Sequence, residues 1–123
     1  MSIINLTQHK ATNDQVNDGV IDLPEHLHTK LVELITFNDI PQAGEMIKRA
    51  NAVVKLVKEF DDNADFAMIG GAPFFMSILE ETLNDAAIQP LYAFSKRVSV
   101  EEVQPDGSVS KKVVFKHEGF VGF

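Results

Sequence analysis

Two adjacent glycines, Gly70-Gly71, follow the apolar run Phe66-Ala67-Met68-Ile69 and precede Ala72-Pro73-Phe74-Phe75. Without Cβ atoms, backbone amides there can approach a ligand closely, and a helix N-terminus favours an anion. The pair is not the Gly-Lys-Ser/Thr of a P-loop, nor the GxGxxG of a dinucleotide site. Pro73 also removes one amide donor. Gly70 and Gly71 therefore read either as an anion-binding loop or as a tight strand-to-helix turn with Pro in the first helical turn. Phe74 could stack on a ligand base, whereas Phe75 has helical spacing with Leu79 and reads as core.

His9 follows a short apolar run, Ile3 to Leu6. It reads as a general acid/base or a hydrogen-bond donor to a phosphate, or else as a solvated loop histidine. Arg97, in Ser95-Lys96-Arg97, follows Leu91-Tyr92-Ala93-Phe94. Its planar fork suits a phosphate or carboxylate, with plain surface charge as the alternative. His9 and Arg97 are the candidate catalytic pair. Ser95 has no nucleophile-elbow context, which rejects a Ser-His-Asp hydrolase and leaves it a candidate ligand contact. His26 and His28 lack the i, i+4 spacing of a helical metal pair, and His117 stands apart. No metal site and no cofactor are expected.

These residues need elements to position them. Ile3–Leu6 reads as a first strand. Thr12 and Gln15 have capping-box spacing, and Gly19 supplies a stop, so 13–18 is a short helix. Residues 20–32 are ambiguous, with Pro24, Leu27 and Leu31 suggesting another short helix. Leu34-Ile35-Thr36-Phe37 is rich in strand formers and reads as a second strand. Met46, Ile47, Ala50, Val53, Val54, Val57 and Phe60 form one stripe near a 3.6 period, predicting a helix over 41–60. Phe66–Ile69 reads as a strand buried on both faces. Residues 74–87 read as a helix, and Leu91–Phe94 as a fourth strand.

Pro105-Asp106-Gly107-Ser108 places Asp-Gly at the centre of a tight hairpin turn. Folding there pairs Glu102 with Lys111, Glu101 with Lys112, Val100 with Val113 and Val98 with Phe115. The alternation of strands and helices predicts a single α/β domain over 1–123. Its fold class is a small Rossmann-like or flavodoxin-like, mainly parallel sheet with helices on both faces. The hairpin 98–116 serves as an edge extension or flap. Ligands in such sheets bind beyond the carboxyl ends of the strands. That rule gathers the loops at Thr7-Gln8-His9-Lys10, at Gly70–Phe75 and at Ser95–Arg97.

The net charge is −7, which argues against a long nucleic-acid groove. The balance is uneven: residues 1–89 hold six Lys/Arg against fourteen Asp/Glu, and 90–123 hold five against four. There is no cysteine, hence no disulfide and no thiolate nucleophile. With no membrane span and no signal-peptide pattern at Met1–Asn5, a cytoplasmic location is expected.

The opening Ile4-Asn5-Leu6-Thr7-Gln8-His9, followed by Ala11-Thr12 and Gln15, resembles the start of small CRISPR-associated proteins with a Rossmann-like, CARF-type fold. Some proteins of that group bind cyclic oligoadenylate as dimers, and some cleave it as ring nucleases. The resemblance covers about a tenth of the chain and does not extend to Gly70–Pro73 or to the hairpin. It implies ligand contacts from Thr7, Gln8 and His9. Two function classes stay open. One is a binding domain for a nucleotide or cyclic oligonucleotide, with or without phosphodiester cleavage. The other is a non-enzymatic accessory protein that associates through its hairpin and its tail, Phe120–Phe123. A homodimer is expected, since pairing across a two-fold axis would enclose a ligand and cover the apolar tail; on the accessory reading the contacts are homo-oligomeric or with a partner.

Overall fold

A computed structural model describes residues 1–123. Five strands form one sheet in the order β2-β1-β3-β4-β5. They are β1 (Ile3–Leu6), β2 (Val20–Ile21), β3 (Phe66–Ile69), β4 (Gln89–Val103) and β5 (Val109–Gly122). The first four run parallel, and β5 is antiparallel to β4. The helices are α1 (Asn13–Asn17), α2 (Glu25–Ile35), α3 (Ala43–Phe60) and α4 (Pro73–Asp85). This is the expected mixed α/β architecture, with a mostly parallel sheet, flanking helices and a C-terminal antiparallel pair. No helix is long and apolar enough to cross a membrane.

Strand side chains alternate between two apolar clusters. Ile4, Leu6, Ala67 and Ile69 join the larger cluster, where Leu27, Leu31, Val53, Phe75 and Leu79 bring in α2, α3 and α4. Ile3, Met68 and Leu91 join Val20 in the smaller one, covered by Ala11, Phe66 and Phe120. The two clusters are unequal because α1 is short and buries no residue of its own. Its capping box is present as the sequence predicts: the Gln15 amide N–H donates to Thr12 Oγ1 at 3.2 Å, and the Thr12 amide donates to Gln15 Oε1 at 3.0 Å.

The segment 34–37 is not a strand. Leu34 and Ile35 close α2, which buries Leu27, Leu31 and Ile35 at i, i+4 and i+8. That stripe outweighs the local preference of Ile-Thr-Phe for extended backbone. Val20–Ile21 takes the place beside β1 instead. In α3 the buried residues are Ala50, Val53, Leu56 and Val57, with Met46, Val54 and Phe60 half-buried. Ile47, expected inside, is 51% exposed. The face is rotated toward Arg49, whose guanidinium caps the end of α2. Arg49 donates to the carbonyls of Glu33, Leu34 and Thr36 at 3.2, 3.2 and 2.7 Å. It also lies 4.4 Å above the Phe37 ring and pairs with Glu45. Those carbonyls are the orphans of a helix C-terminus, where positive charge is favourable.

β4 is continuous from Gln89 to Val103, so Ser95-Lys96-Arg97 is not a loop. The hairpin exists, one register step from expectation. Glu101 faces Lys111, Val100 faces Lys112, Ser99 faces Val113, and Val98 faces Val114. The expected register needs a two-residue Asp-Gly turn. The observed loop has three residues, Pro105 to Gly107, because Gln104 and Ser108 still pair: the Gln104 amide donates to the Ser108 carbonyl at 2.7 Å. Pro105 favours this arrangement, since its fixed φ fits the second position of a type I turn. Gly107 follows at φ 83°, the left-handed position that completes such loops. The Ser108 hydroxyl and amide both donate to Asp106, holding its carboxyl below the usual range.

Candidate functional site

β1 sends the chain outward on one side to β2, and β3 sends it on the other side to β4. The reversal in strand order therefore falls between β1 and β3, which pair directly. A cleft of about 540 Å³ opens at their carboxyl ends. Clefts of this volume suit small ligands. The loop after β1 supplies Thr7, Gln8, His9 and Lys10, and the start of α1 supplies Thr12 and Gln15. The loop after β3 supplies Gly70 and Gly71, while Met68, Ile69, Tyr92 and Ala93 form the floor and far wall.

The first loop is held in shape by a buried side chain. Asn5 is 2% exposed and has every hydrogen-bonding position filled. Its Nδ2 donates to the His9 carbonyl and to Asp22 Oδ1, both at 2.8 Å. Its Oδ1 accepts from the Thr7 amide at 2.9 Å and the Thr7 hydroxyl at 2.7 Å. Asp22 Oδ1 also accepts from the Ala11 amide at 3.0 Å. From α2, His28 Nε2 donates to the Thr7 carbonyl at 3.2 Å, which requires the proton on that nitrogen. Gln8 Nε2 reaches Thr36 Oγ1 at 3.1 Å. A loop pinned from so many directions presents its side chains without an ordering penalty at binding. Sequence reading saw Asn5 only as part of a motif and missed Asp22. It considered His28 only as a metal ligand. The one legible signal was a polar residue at an inward strand position.

Gly71 has φ 147°, so the turn itself requires glycine there. Gly70 is different. A Cβ at Gly70 would meet only Thr7 Cγ2, at 3.6 Å. The open space beside it faces the cleft.

His9, Thr7, Gln8, Gly70 and Gly71 are thus brought together, as predicted. Three other candidates lie apart. Phe74 sits at a second depression with Phe37, Ile40 and Met46, its ring 5.1 Å from that of Phe37. Ser95 and Arg97 follow Ala93 on the same face of β4, about 7 and 13 Å further out at strand spacing. Neither lines the cleft. The Arg97 guanidinium is 5.9 Å from the Phe115 ring centre. His9 lines the cleft, and Arg97 lies further out along β4. His117 does not follow the hairpin but lies within β5, its Nε2 2.8 Å from Asp18 Oδ2.

Electrostatically the cleft departs from the rest of the molecule. The chain holds eighteen Asp and Glu, and none of them is among the twelve lining residues. Lys10 and His9 are its ionisable groups at the mouth. Tyr92, beneath, is fixed as a neutral phenol. Burial, then donation to Glu80 Oε2 at 2.5 Å and the charge of that carboxylate, push its pKa far above the usual range.

The family model described as the uncharacterized protein MJ1673 family matches residues 1–121. The chain belongs to that family. The match takes in both the cleft and the hairpin, so the two features lie within one family unit. No curated protein and no solved structure matches the chain.

Proposed function

We propose that the cleft between the β1 and β3 loops binds a small anionic ligand of the nucleotide class, cyclic oligoadenylate among the candidates. The observation that carries the reading is the acid-free lining of this cleft in a chain of net charge −7. Excluding carboxylates removes the repulsion an anion would meet elsewhere on the surface. Lys10 adds a positive charge, and His9 and Gln8 add donors. The place supports the same reading. An order of β2-β1-β3-β4 with a switch between β1 and β3 is that of flavodoxin-like sheets, whose ligands sit at this switch. On this reading the domain is Rossmann-like in the broad sense, and a cytoplasmic location belongs to the same proposal.

Phosphodiester cleavage is the further step of this proposal. With Arg97 outside the lining, His9 and Lys10 are the groups that could transfer a proton or stabilise developing charge.

Thermal denaturation in the presence of mono-, di- and triphosphates and of linear and cyclic oligoadenylates tests the reading. At a ligand concentration about 100 times Kd, binding stabilises by about 2.7 kcal/mol, a rise of about 10 °C in Tm. Lys10→Ala should shrink the shift and its salt dependence. Gly70→Val should abolish the shift and leave the unliganded Tm close to wild type. A panel with no shift counts against the proposal.

A further inference from the structure

The outer part of the β4–β5 hairpin has no cover within the chain. Pairing of β4 with β3 ends at Met68 and Leu91, while pairing with β5 continues to Val103 and Val109. The Ser95 row is still tied to the domain through His117 and Asp18, and from Lys96 to Val103 the pair is a free ribbon about 25 Å long. An isolated two-stranded ribbon is marginal in water. This one nevertheless exposes Val103, Val109, Val113 and Phe115, by 72, 57, 53 and 71%. The pairing register places all four on one face. Its successive rows are Arg97/Phe115, Ser99/Val113, Glu101/Lys111 and Val103/Val109. Ala93, at the cleft, belongs to the same face. The opposite face carries Lys96, Lys112 and Lys116, and its Val98 and Val114 are already half-buried.

We propose that this face of the ribbon binds the same face of a second copy of the chain, in an arm-to-arm dimer with two-fold symmetry. The row order is self-complementary, as an isologous contact demands. With the axis between the Ser99/Val113 and Glu101/Lys111 rows, two antiparallel ribbons set Val109 on the partner's Phe115 and Val103 on the aliphatic stem of the partner's Arg97. The Glu101/Lys111 row, internally neutral, meets the partner's Ser99 and the partner's Val113. No row meets a like charge. Two ribbons packed face to face lie about 10 Å apart, as sheets do.

The same count extends past the ribbon. The turn Pro105–Gly107 of each copy falls over the row of the partner's Ser95, one row short of the partner's Ala93 at the mouth of the other copy's cleft. Each turn then borders the cleft of the second chain. This consequence rests on the cleft being a binding site, whereas the dimer itself does not.

The chain has no cysteine, so one engineered cysteine reports one contact. Ser99→Cys, beside the axis, should be joined into a covalent dimer by a short bismaleimide, since facing sheets stand too far apart for a direct disulfide. Val100→Cys, on the opposite face, should not. Sedimentation equilibrium should find a dimer for the wild type and a monomer for Val103→Lys/Val109→Glu, which keeps an opposite-charge pair across the strands but sets a lysine on the partner's Arg97 and a carboxylate on the partner's Phe115. Both changes are at exposed positions, so circular dichroism should stay unchanged. A wild-type monomer at high micromolar concentration would overturn the proposal. So would a dimer that survives the double substitution, or cross-linking through Val100→Cys in preference. A monomer that still binds nucleotide removes the dimer and leaves the cleft reading standing. A dimer that binds none does the reverse.

Discussion

Asn5 and Tyr92 are single side chains on which the shape of the cleft depends. Asn5 joins the Thr7 amide, the His9 carbonyl and the Asp22 carboxylate at one buried point. Asn5→Ala would leave the Thr7 amide without its acceptor and take one of two partners each from the His9 carbonyl and Asp22 Oδ1. Unsatisfied groups of this kind cost about 1–3 kcal/mol each when buried. Some are partly exposed, so the expected loss is about 2–3 kcal/mol in urea unfolding. A loss below about 0.5 kcal/mol would mean that the loop does not depend on this side chain. Tyr92 offers a cleaner readout. It is the chain's one tyrosine, and there is no tryptophan, so tyrosinate absorbance follows a single group. The folded protein holds its proton more tightly than the unfolded chain does. The unfolded state therefore binds fewer protons once the pH passes about 10. Stability from this group is complete below that point and declines above it. The absorbance step should coincide with alkaline unfolding, and Tyr92→Phe should flatten the decline. Titration near the ordinary phenol value in the folded state would contradict the account.

At the scale of elements, α3 shows how a correct period can carry a wrong face. The spacing of Met46, Ala50, Val53 and Val57 does specify the helix. It cannot tell whether Ile47 or Arg49 flanks the buried stripe. Arg49 prevails because α2 ends beside it with carbonyls to satisfy, a tertiary fact with no local signal. Val53 is fully buried and Ile47 is half out. Val53→Asp should therefore cost several kcal/mol, on the order of burying an unpaired polar group. Ile47→Asp should cost within about 0.5 kcal/mol, as surface changes do. Equal losses in denaturant melts would return Ile47 to the core. The hairpin gives a parallel lesson. Asp106-Gly107 marked the reversal, yet Pro105 made the loop three residues long. One residue of loop length moved every cross-strand pair by one.

For the whole molecule, the sheet was legible because β1, β3 and the inner part of β4 are short apolar runs between turn signals. β2 was not: two residues, Val20–Ile21, are too few to carry a period. The Leu34–Phe37 run was the stronger local strand signal and the wrong one, since Ile35 completes the α2 stripe. The cleft was half legible. Topology assigns the loops after parallel strands to one edge, which brought Thr7, Gln8, His9, Gly70 and Gly71 together. Ser95 and Arg97 were misplaced because the sequence gives no sign that β4 runs on through them. The absence of carboxylates from the lining could not be read at all, because it concerns which of eighteen acids stay away.

That absence underlies the central claim, that this cleft is an anion site. Amide chemical shifts of labelled protein, followed during titration with the nucleotide that most raises Tm, test it directly. Saturable shifts should gather at Thr7 to Lys10, at Gly70 and Gly71, and at Ala93. The same titration of Gly70→Val should leave them in place. Shifts gathered at Phe37, Ile40 and Phe74 instead, or spread without saturation over the lysines of the hairpin, would contradict the claim.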